Sequence, residues 1–199
     1  MKNTFEQPDS PSNILRSLKD SNDTKYLLEK KKWNPPFCGN IDMRIARNGT
    51  WFYNGTPIGR PELVKLFSDI LIKENNKYFL ITPVEKVGIV VDDVPFIALD
   101  FSIEKPKDGS ISLIFETNVG DKVILSESNP LSLSFNKNTD EPAPYIIVRD
   151  NLKALIDRKS FYRLVDLGTH ETLNGVEWFG IISSGTFFPF IESKYLSNS

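Results

Sequence analysis

Two arginines occupy positions at which they could bind an anion. Arg60 directly precedes Pro61 and a run of apolar residues at helical spacing, and Arg149 precedes a second run of that kind. A guanidinium group is a planar fork that matches a carboxylate or a phosphate, and the first turn of a helix adds N–H donors. The sequence therefore predicts that Arg60 and Arg149 hold one anionic ligand from two helix starts. The alternative is that each arginine pairs with an acid in its own half of the chain.

A polar turn supplies further candidate contacts. Thr82, Glu85 and Lys86 place a hydroxyl, an acid and a base within one short stretch. A tight connection between strands has a similar composition, with the acid and the base pairing locally for little energy. We predict these three residues as ligand contacts, and a plain turn is the alternative.

An aromatic triplet could provide a stacking surface. Trp51, Phe52 and Tyr53 are consecutive in a predicted strand, so neighbouring rings point to opposite faces. A ring on the outer face could stack on a base or on a peptide side chain, whereas a ring on the inner face belongs to the core. We predict Trp51 or Tyr53 as an aromatic wall of the site, with core packing as the alternative.

Residues for catalysis, metal binding or cofactor binding are not recognisable. The one histidine, His170, lies in a predicted loop without a nucleophile nearby, and the one cysteine, Cys38, cannot form an intrachain disulfide. One histidine and one cysteine do not make the usual zinc site. Neither the phosphate-binding loop Gly-x-x-x-x-Gly-Lys nor the dinucleotide motif Gly-x-Gly-x-x-Gly occurs. The sequence thus predicts no catalytic residue, no metal and no cofactor.

The composition is typical of a folded protein with a sizeable core. The chain has 199 residues, of which 40% are hydrophobic and 12% aromatic. A net charge of −2 gives no overall field that would attract nucleic acid or an anionic membrane, although a local basic groove stays open. Aliphatic runs are far shorter than the roughly 20 residues of a membrane-spanning helix. We predict a soluble cytoplasmic protein without membrane insertion.

Hydrophobic periodicity divides the chain into an arm, two modules and a tail. The arm is 1–38 and carries a short helix, the first module is 39–103, the second is 104–192, and the tail at 193–199 is frayed. In the first module we predict strands at 41–45 and 50–53 around an Asn48-Gly49 turn, a helix at 61–73, and strands at 78–82 and 87–91. In the second we predict a hairpin of 111–115 and 123–125, a strand at 131–135, a polar insertion at 136–144, a helix at 150–158, and strands at 161–165 and 176–182.

The two modules read as copies of one motif. Ile41 and Leu131, each the first of three alternating apolar residues, are 90 positions apart, and Arg60 and Arg149 are 89 apart. The predicted fold class is therefore α+β: two modules with a repeated strand-strand-helix-strand-strand motif and mostly antiparallel sheets. A seam between two similar halves is a natural place for a ligand.

Several strings resemble a bacterial family catalogued as domain-of-unknown-function family 1285. They include Cys38-Gly39-Asn40-Ile41-Asp42-Met43-Arg44-Ile45, Pro57-Ile58-Gly59-Arg60-Pro61, Thr82-Pro83-Val84-Glu85-Lys86, Asp93-Val94-Pro95-Phe96 and Arg149-Asp150-Asn151-Leu152. The resemblance covers residues 35–190. It implies a two-domain fold built on a repeated motif, with a pleckstrin-homology-like second domain. It also implies a signalling or regulatory role with a ligand at the domain interface, and it leaves the chemistry open because the family has no established activity.

Taken together, these patterns favour a non-enzymatic binding or regulatory protein in signal transduction, with its ligand site where the two modules meet. A protein or peptide segment is the first choice of ligand, because exposed sheet edges accept added strands. A small anion or nucleotide is second, and single-stranded nucleic acid is third. The alternatives are a hydrolase or transferase with a site near Glu85, joined by a second carboxylate or His170, and an assembly subunit. The oligomeric state is left open.

Overall fold

The structure, a computed structural model, describes residues 30–105, 110–135 and 141–198. The predicted helix of the arm and most of the predicted polar insertion lie outside the described residues. The chain divides into two compact units, the first ending at Asp93 and the second beginning at Val94. The boundary predicted after residue 103 differs, because the strand Phe96–Glu104 pairs with strands of the second unit.

The first unit contains one α-helix and one six-stranded sheet. After a short 3-10 helix at Lys30–Lys32, its elements are β1 (Phe37–Ile45), β2 (Trp51–Tyr53), β3 (Thr56–Pro57), α1 (Pro61–Asp69), β4 (Leu71–Glu74), β5 (Lys77–Ile81) and β6 (Lys86–Val91). The strand order is β3-β2-β1-β6-β5-β4. β1 and β6 are parallel, and the other neighbours are antiparallel.

Alternating residues of β1 build the core of this unit. Met43 and Ile45 are buried, while Arg44 between them is exposed on the other face of the sheet. Gly49 has a positive φ of 81° in the turn that follows, and the amide of Ala46 donates to the carbonyl oxygen of Thr50 over 2.9 Å. The predicted hairpin around Asn48-Gly49 is confirmed.

Helix α1 covers the core face of the sheet. It begins at Pro61, whose missing N–H is harmless in the first helical turn. The ring of Phe67 stacks on Trp51, with ring centroids 6.3 Å apart and planes 21° apart. Trp51 pairs with Ile45 across β1 and β2, so the helix and the buried residues of β1 share one face.

The helix is shorter than the predicted 61–73. It ends at Asp69, and Leu71 opens β4 by pairing with Leu80 of β5. The β4–β5 turn is formed by Asn75 and Asn76, both with positive φ, which asparagine adopts more readily than most residues. Ile70 and Leu71 continue the helical spacing of apolar residues, but the pairing of β4 with β5 ends the helix before them.

The second unit contains two sheets and one α-helix. Its elements are β7 (Phe96–Glu104), β8 (Ser112–Thr117), β9 (Lys122–Ile124), β10 (Leu131–Phe135), β11 (Pro142–Arg149), β12 (Leu152–Ile156), α2 (Arg158–Asp166), β13 (Thr169–Leu173), β14 (Val176–Ser183), β15 (Thr186–Glu192) and a 3-10 helix (Ser193–Asn198). One sheet has the order β10-β11-β12-β7-β8-β9 and the other β13-β14-β15. The 3-10 helix occupies the tail that we predicted to be frayed.

The helix predicted at 150–158 is wrong. Leu152, Ala154 and Ile156 are buried in alternation, which is the period of a strand, and they form β12. The strand predicted at 161–165 is wrong as well, because those residues lie in α2. Phe161 and Leu164 are three positions apart and form its buried side.

The two six-stranded sheets share one topology. Strands β1 to β6 correspond in order to β7 to β12: the first and last strands are parallel neighbours at the centre, and all other neighbours are antiparallel. β7 begins about 60 residues after β1, and β10 about 60 after β4. A duplicated, mostly antiparallel two-domain fold is therefore confirmed, but the predicted period of about 90 residues is wrong. The helix is not repeated, since residues 125–130 connect β9 to β10 without one. Within the described ranges, no helix is long and apolar enough to cross a membrane.

Candidate functional site

Lys86 lies on the face of the first sheet that α1 does not cover. Its ammonium group donates to Oε2 of Glu74 over 3.0 Å and lies 5.3 Å from the ring centroid of Phe79. The opposite neighbour of Phe79 in the sheet is Gly88, two residues after Lys86, so the ring and the ammonium group share one face. Only 20% of the Lys86 side chain is exposed, so part of its charge is shielded from water.

Arg44 repeats this arrangement on the same face. Its guanidinium carbon lies 5.0 Å from the ring centroid of Phe52, and its Nη1 lies 2.6 Å from Oδ2 of Asp92. Arg44 is paired in register with Phe52 on one side and with Val90 on the other. Among the described residues, this face of the sheet thus holds Arg44 and Lys86, each over an aromatic ring and each oriented by a carboxylate.

Phe37 extends the Lys86–Phe79 pair along the same face. Its ring meets the ring of Phe79 edge-on, at 6.0 Å and 88°. A Cβ atom on Gly88 would lie 3.7 Å from the Phe37 ring and 2.0 Å from Oδ1 of Asn40, so the bare glycine lets both side chains lie close to the sheet. Phe37 is 55% exposed. Val90, on the same face, is 58% exposed.

We call this surface the aromatic face and define it by Phe37, Arg44, Phe52, Phe79, Lys86 and Val90. Exposed rings beside oriented cations can bind an apolar side chain and an anionic group together. Each bound anion would compete with Glu74 or Asp92. The surface is therefore suited to selective binding, and it holds no nucleophile beside a base.

The other predicted residues of the first unit have different surroundings. Trp51 is 1% exposed in the core, and its indole nitrogen has no hydrogen-bond partner in the described structure. Tyr53 is half-buried on that same inner side, opposite Met43. Arg60 is exposed at the N-cap of α1, where its carbonyl oxygen accepts from the amides of Leu63 and Val64. No described residue hydrogen-bonds to or ion-pairs with its side chain.

The polar turn is closed by its own hydrogen bonds. Thr82 is 1% exposed, and its hydroxyl oxygen accepts from the amides of Val84 and Glu85 over 3.4 and 3.2 Å. The amide of Thr82 donates to the carbonyl oxygen of Glu85 over 2.9 Å. The Thr82 hydroxyl thus holds the turn in shape, and Lys86 is the member that reaches the aromatic face.

Arg149 belongs to the second unit, and no helix follows it. It ends β11 and is followed by Asp150, whose positive φ of 50° starts a turn. Its guanidinium pairs with Asp121 and lies 4.8 Å from the ring centroid of Phe96. This is the local ion pair that the sequence left open as the alternative to ligand binding.

His170 is not in a loop, because it pairs with Phe179 between β13 and β14. Its Nδ1 lies 2.7 Å from Oγ of Ser193 and 3.9 Å from Oε2 of Glu177. Both partners approach the same ring nitrogen, so the three groups do not form a relay in which an acid orients one nitrogen while the other activates a hydroxyl. Within the described ranges, no cluster of three or more His, Cys, Asp or Glu residues could hold a metal ion.

Burial changes the acidity of one residue behind the aromatic face. The pKa of the Tyr78 phenol is raised above its ordinary value, first by burial and second by the negative charge of Asp93. Tyr78 therefore stays neutral well above physiological pH and contributes no charge to the sheet.

Of the residues that define the aromatic face, the sequence predictions named only Lys86 as a ligand contact. The alternation of Met43, Arg44 and Ile45 already placed Arg44 opposite the core. Phe37 and Phe79 could not be connected to it, because their meeting depends on the parallel pairing of β1 with β6, two strands far apart in the chain.

Comparisons with known proteins agree over nearly the whole described chain. Models of the N-terminal and C-terminal domains of family DUF1285, described as domains of unknown function, match residues 30–94 and 95–190. A DUF1285 family protein from Silicibacter pomeroyi DSS-3 is 51% identical in its crystal structure, with 92% of this chain and 97% of that chain covered and a TM-score of 0.80. One from Shewanella baltica OS155 is 29% identical, with 62% and 90% covered and a TM-score of 0.50. No curated protein matches. The chain belongs to the DUF1285 family, as its sequence motifs predicted.

Proposed function

We propose that this protein is a non-enzymatic binding protein with a regulatory role in signal transduction, and that the aromatic face binds its ligand. The observation that carries the proposal is the placement of Lys86 and Arg44 over Phe79 and Phe52 on one open sheet face. Isolated exposed apolar residues are common, but a contiguous set beside oriented cations is typical of an interaction surface.

The ligand that we propose is a protein segment with apolar and acidic side chains. Both cations already have carboxylate partners, so the net charge of the face is small and apolar contacts must supply much of the affinity. The cations then select an acidic group and set the direction of the segment. A small anion lacks the apolar part, and it is the second choice.

Three predictions from the sequence are part of this proposal: a cytoplasmic location, ligand contacts at Arg60 and Arg149, and a pleckstrin-homology-like second unit. Cys38 is exposed and unpaired, which suits the reducing cytoplasm. Arg60, with its exposed guanidinium at the start of α1, is kept as a further contact, as is Arg149. The pleckstrin-homology-like character of the second unit comes from the family resemblance, and an experimental structure of that unit would test it.

Calorimetric titration tests the proposal. The probe is a six-residue peptide that alternates glutamate and phenylalanine, and inorganic phosphate represents the small anion. We expect the peptide to bind more tightly than phosphate, and Lys86→Ala to weaken peptide binding about three- to tenfold. Phe79→Leu keeps an apolar side chain at this position but removes the ring. It should weaken peptide binding by a similar factor.

Lys65→Ala is the matched control, because Lys65 lies on α1 with Asp69 as its ion-pair partner. It should leave binding unchanged. Equal binding by the wild type, Lys86→Ala and Phe79→Leu would overturn the proposal, and phosphate binding that exceeds peptide binding would favour the small anion instead.

A further inference from the structure

The third sheet has an open apolar face of its own, opposite the face that packs on α2. On the packed side, the Phe190 ring meets Phe179 at 6.2 Å and Phe161 of α2 at 5.9 Å. The residues of β14 that alternate with Phe179 therefore point away from the helix. Across the sheet on this open side, Leu173 is paired with Val176, and Phe187 with Ile182.

We call this surface the Trp178 strip and define it by Leu173, Val176, Trp178, Ile182 and Phe187. Leu173, Val176 and Ile182 are 38%, 40% and 38% exposed, and Trp178 and Phe187 are half-buried. No described residue accepts a hydrogen bond from the Trp178 indole N–H. Tryptophan is the residue type most enriched among those that dominate binding energy at interfaces.

A glycine makes the strip continuous. Gly180 lies between Trp178 and Ile182 on β14, and a Cβ atom there would lie 2.8 Å from Cζ of Phe187 and 2.2 Å from the carbonyl oxygen of Phe188. The Phe187 ring can therefore lie across the bare backbone and fill the gap between Trp178 and Ile182. The result is an unbroken apolar row along one strand.

Acidic residues flank the indole on both sides. Glu171 on β13 and Glu192 on β15 are each the direct cross-strand partner of Trp178. Direct cross-strand partners have Cβ atoms about 5 Å apart on one face. Glu192 pairs with Lys194, whereas no described residue forms an ion pair with Glu171. The three strands and their two turns contain three glutamates and neither lysine nor arginine.

We propose that the Trp178 strip docks a basic, extended segment of a partner protein. An arginine or lysine of that segment would lie over the indole, between Glu171 and Glu192. The face of an indole ring attracts cations, and the two carboxylates add complementary charge. Aliphatic side chains of the segment would cover Val176 and Ile182. The outer strand β13 is exposed along most of its length, so the segment can also add backbone hydrogen bonds at its edge.

This docking site is separate from the aromatic face. It lies wholly in the second unit, and the charged side chains beside its apolar residues are the carboxylates of Glu171 and Glu192. Nucleic acid and anionic membranes are disfavoured here, because the flanking carboxylates would repel phosphate groups. A second copy of the chain is a further possible occupant, which the test below separates.

The full chain is titrated with a six-residue peptide that alternates valine and arginine, and with matched peptides in which norleucine or glutamate replaces arginine. We expect the arginine peptide to bind at least tenfold more tightly than either counterpart. Trp178→Ala should weaken its binding about tenfold or more, and Trp178→Phe by less, because the smaller ring keeps the apolar packing. Glu171→Gln should weaken it about three- to tenfold and reduce its dependence on salt.

Glu116→Gln is the control, because Glu116 is an exposed glutamate on β8, in the other sheet of this unit. This variant should bind the arginine peptide as tightly as the wild type does. Three results would overturn the proposal: equal binding of the norleucine peptide, unchanged binding by both Trp178→Phe and Glu171→Gln, or no binding at millimolar peptide. Sedimentation of the chain alone gives a fourth. A dimer that Trp178→Phe dissociates would assign the strip to a second copy of this chain and contradict a basic partner segment.

Discussion

Arg149 and Asp121 form an ion pair in the second unit, with the guanidinium also 4.8 Å above the ring of Phe96. The two side chains are 25% and 17% exposed, so the pair is partly shielded from solvent. Arg163 and Asp100 form the same arrangement over Phe101, at 4.4 Å, but their side chains are 42% and 61% exposed. Among its described residues, the second unit thus carries two similar arginine–aspartate–phenylalanine groups that differ in burial.

We expect Arg149→Ala to lower the free energy of unfolding by about 2 kcal/mol, because it removes a partly shielded ion pair and the contact of the guanidinium with the Phe96 ring. Arg163→Ala should cost within about 0.5 kcal/mol, since exposed ion pairs are screened by water. Urea unfolding of both variants measures the difference. Equal losses in the two variants would show that burial does not set the strength of these groups.

Ser183 connects the third sheet to the neighbouring one. It is fully buried, and its hydroxyl donates to the carbonyl oxygen of Leu125 over 2.7 Å while it accepts from the amide of Leu113 over 3.0 Å. Ser183→Ala removes the hydrogen-bond partner of both backbone groups. We therefore expect the free energy of unfolding, measured in urea, to fall by about 2 kcal/mol. Ser112→Ala, which removes a more exposed hydroxyl, should cost within about 0.5 kcal/mol. A loss for Ser183→Ala as small as that for Ser112→Ala would contradict the bridging role.

Substitution of the N-cap residue, Asp157, tests where α2 begins. The Asp157 side chain accepts a hydrogen bond from the amide of Ser160 over 2.7 Å. Asp157→Ala should destabilise the protein by about 1 kcal/mol, and Asp157→Ser, which can still cap, by clearly less. Thermal or urea unfolding of the two variants measures this. The same loss for both would mean that residue 157 does not begin the helix.

Tyr78 makes stability depend on alkaline pH. Burial, and second the charge of Asp93, raise its folded pKa above the unfolded value near 10. The neutral phenol is favoured in the folded state, so its contribution is complete below pH about 10 and is lost as the pH rises through the folded pKa. We expect the free energy of unfolding of Tyr78→Phe to fall less steeply than that of the wild type as the pH rises above about 10. Parallel pH profiles of the two proteins would contradict the shift.

Local patterns predicted the first unit well. The alternation in β1 and the Asn48-Gly49 turn identify a hairpin from neighbouring residues alone, and Pro61 with its apolar stripe identifies α1. The second unit shows where such patterns fail. Leu152 and Leu155 are three apart and suggested a helix, but Leu155 is only half-buried, and the true period is that of Leu152 and Ala154.

The same region also contains a helix signal. Asp157 three residues before Ser160, followed by apolar residues three apart, is an N-cap pattern, but the strand-forming residues Phe161, Tyr162 and Val165 outweighed it. The candidate site was less predictable still. The aromatic face brings Phe37 of β1 and Phe79 of β5 together across β6, and the parallel pairing of β1 with β6 leaves no short-range pattern in the sequence.

Nuclear magnetic resonance mapping of the glutamate–phenylalanine peptide on the full chain tests the aromatic face most directly. During the titration, the amide signals of β1, β5 and β6 should shift together, with the largest changes near Phe37, Phe79 and Lys86, and Lys86→Ala should require more peptide for the same shifts. Saturable shifts confined to other strands, or no shifts at millimolar peptide, would contradict the proposal that this face binds a protein segment.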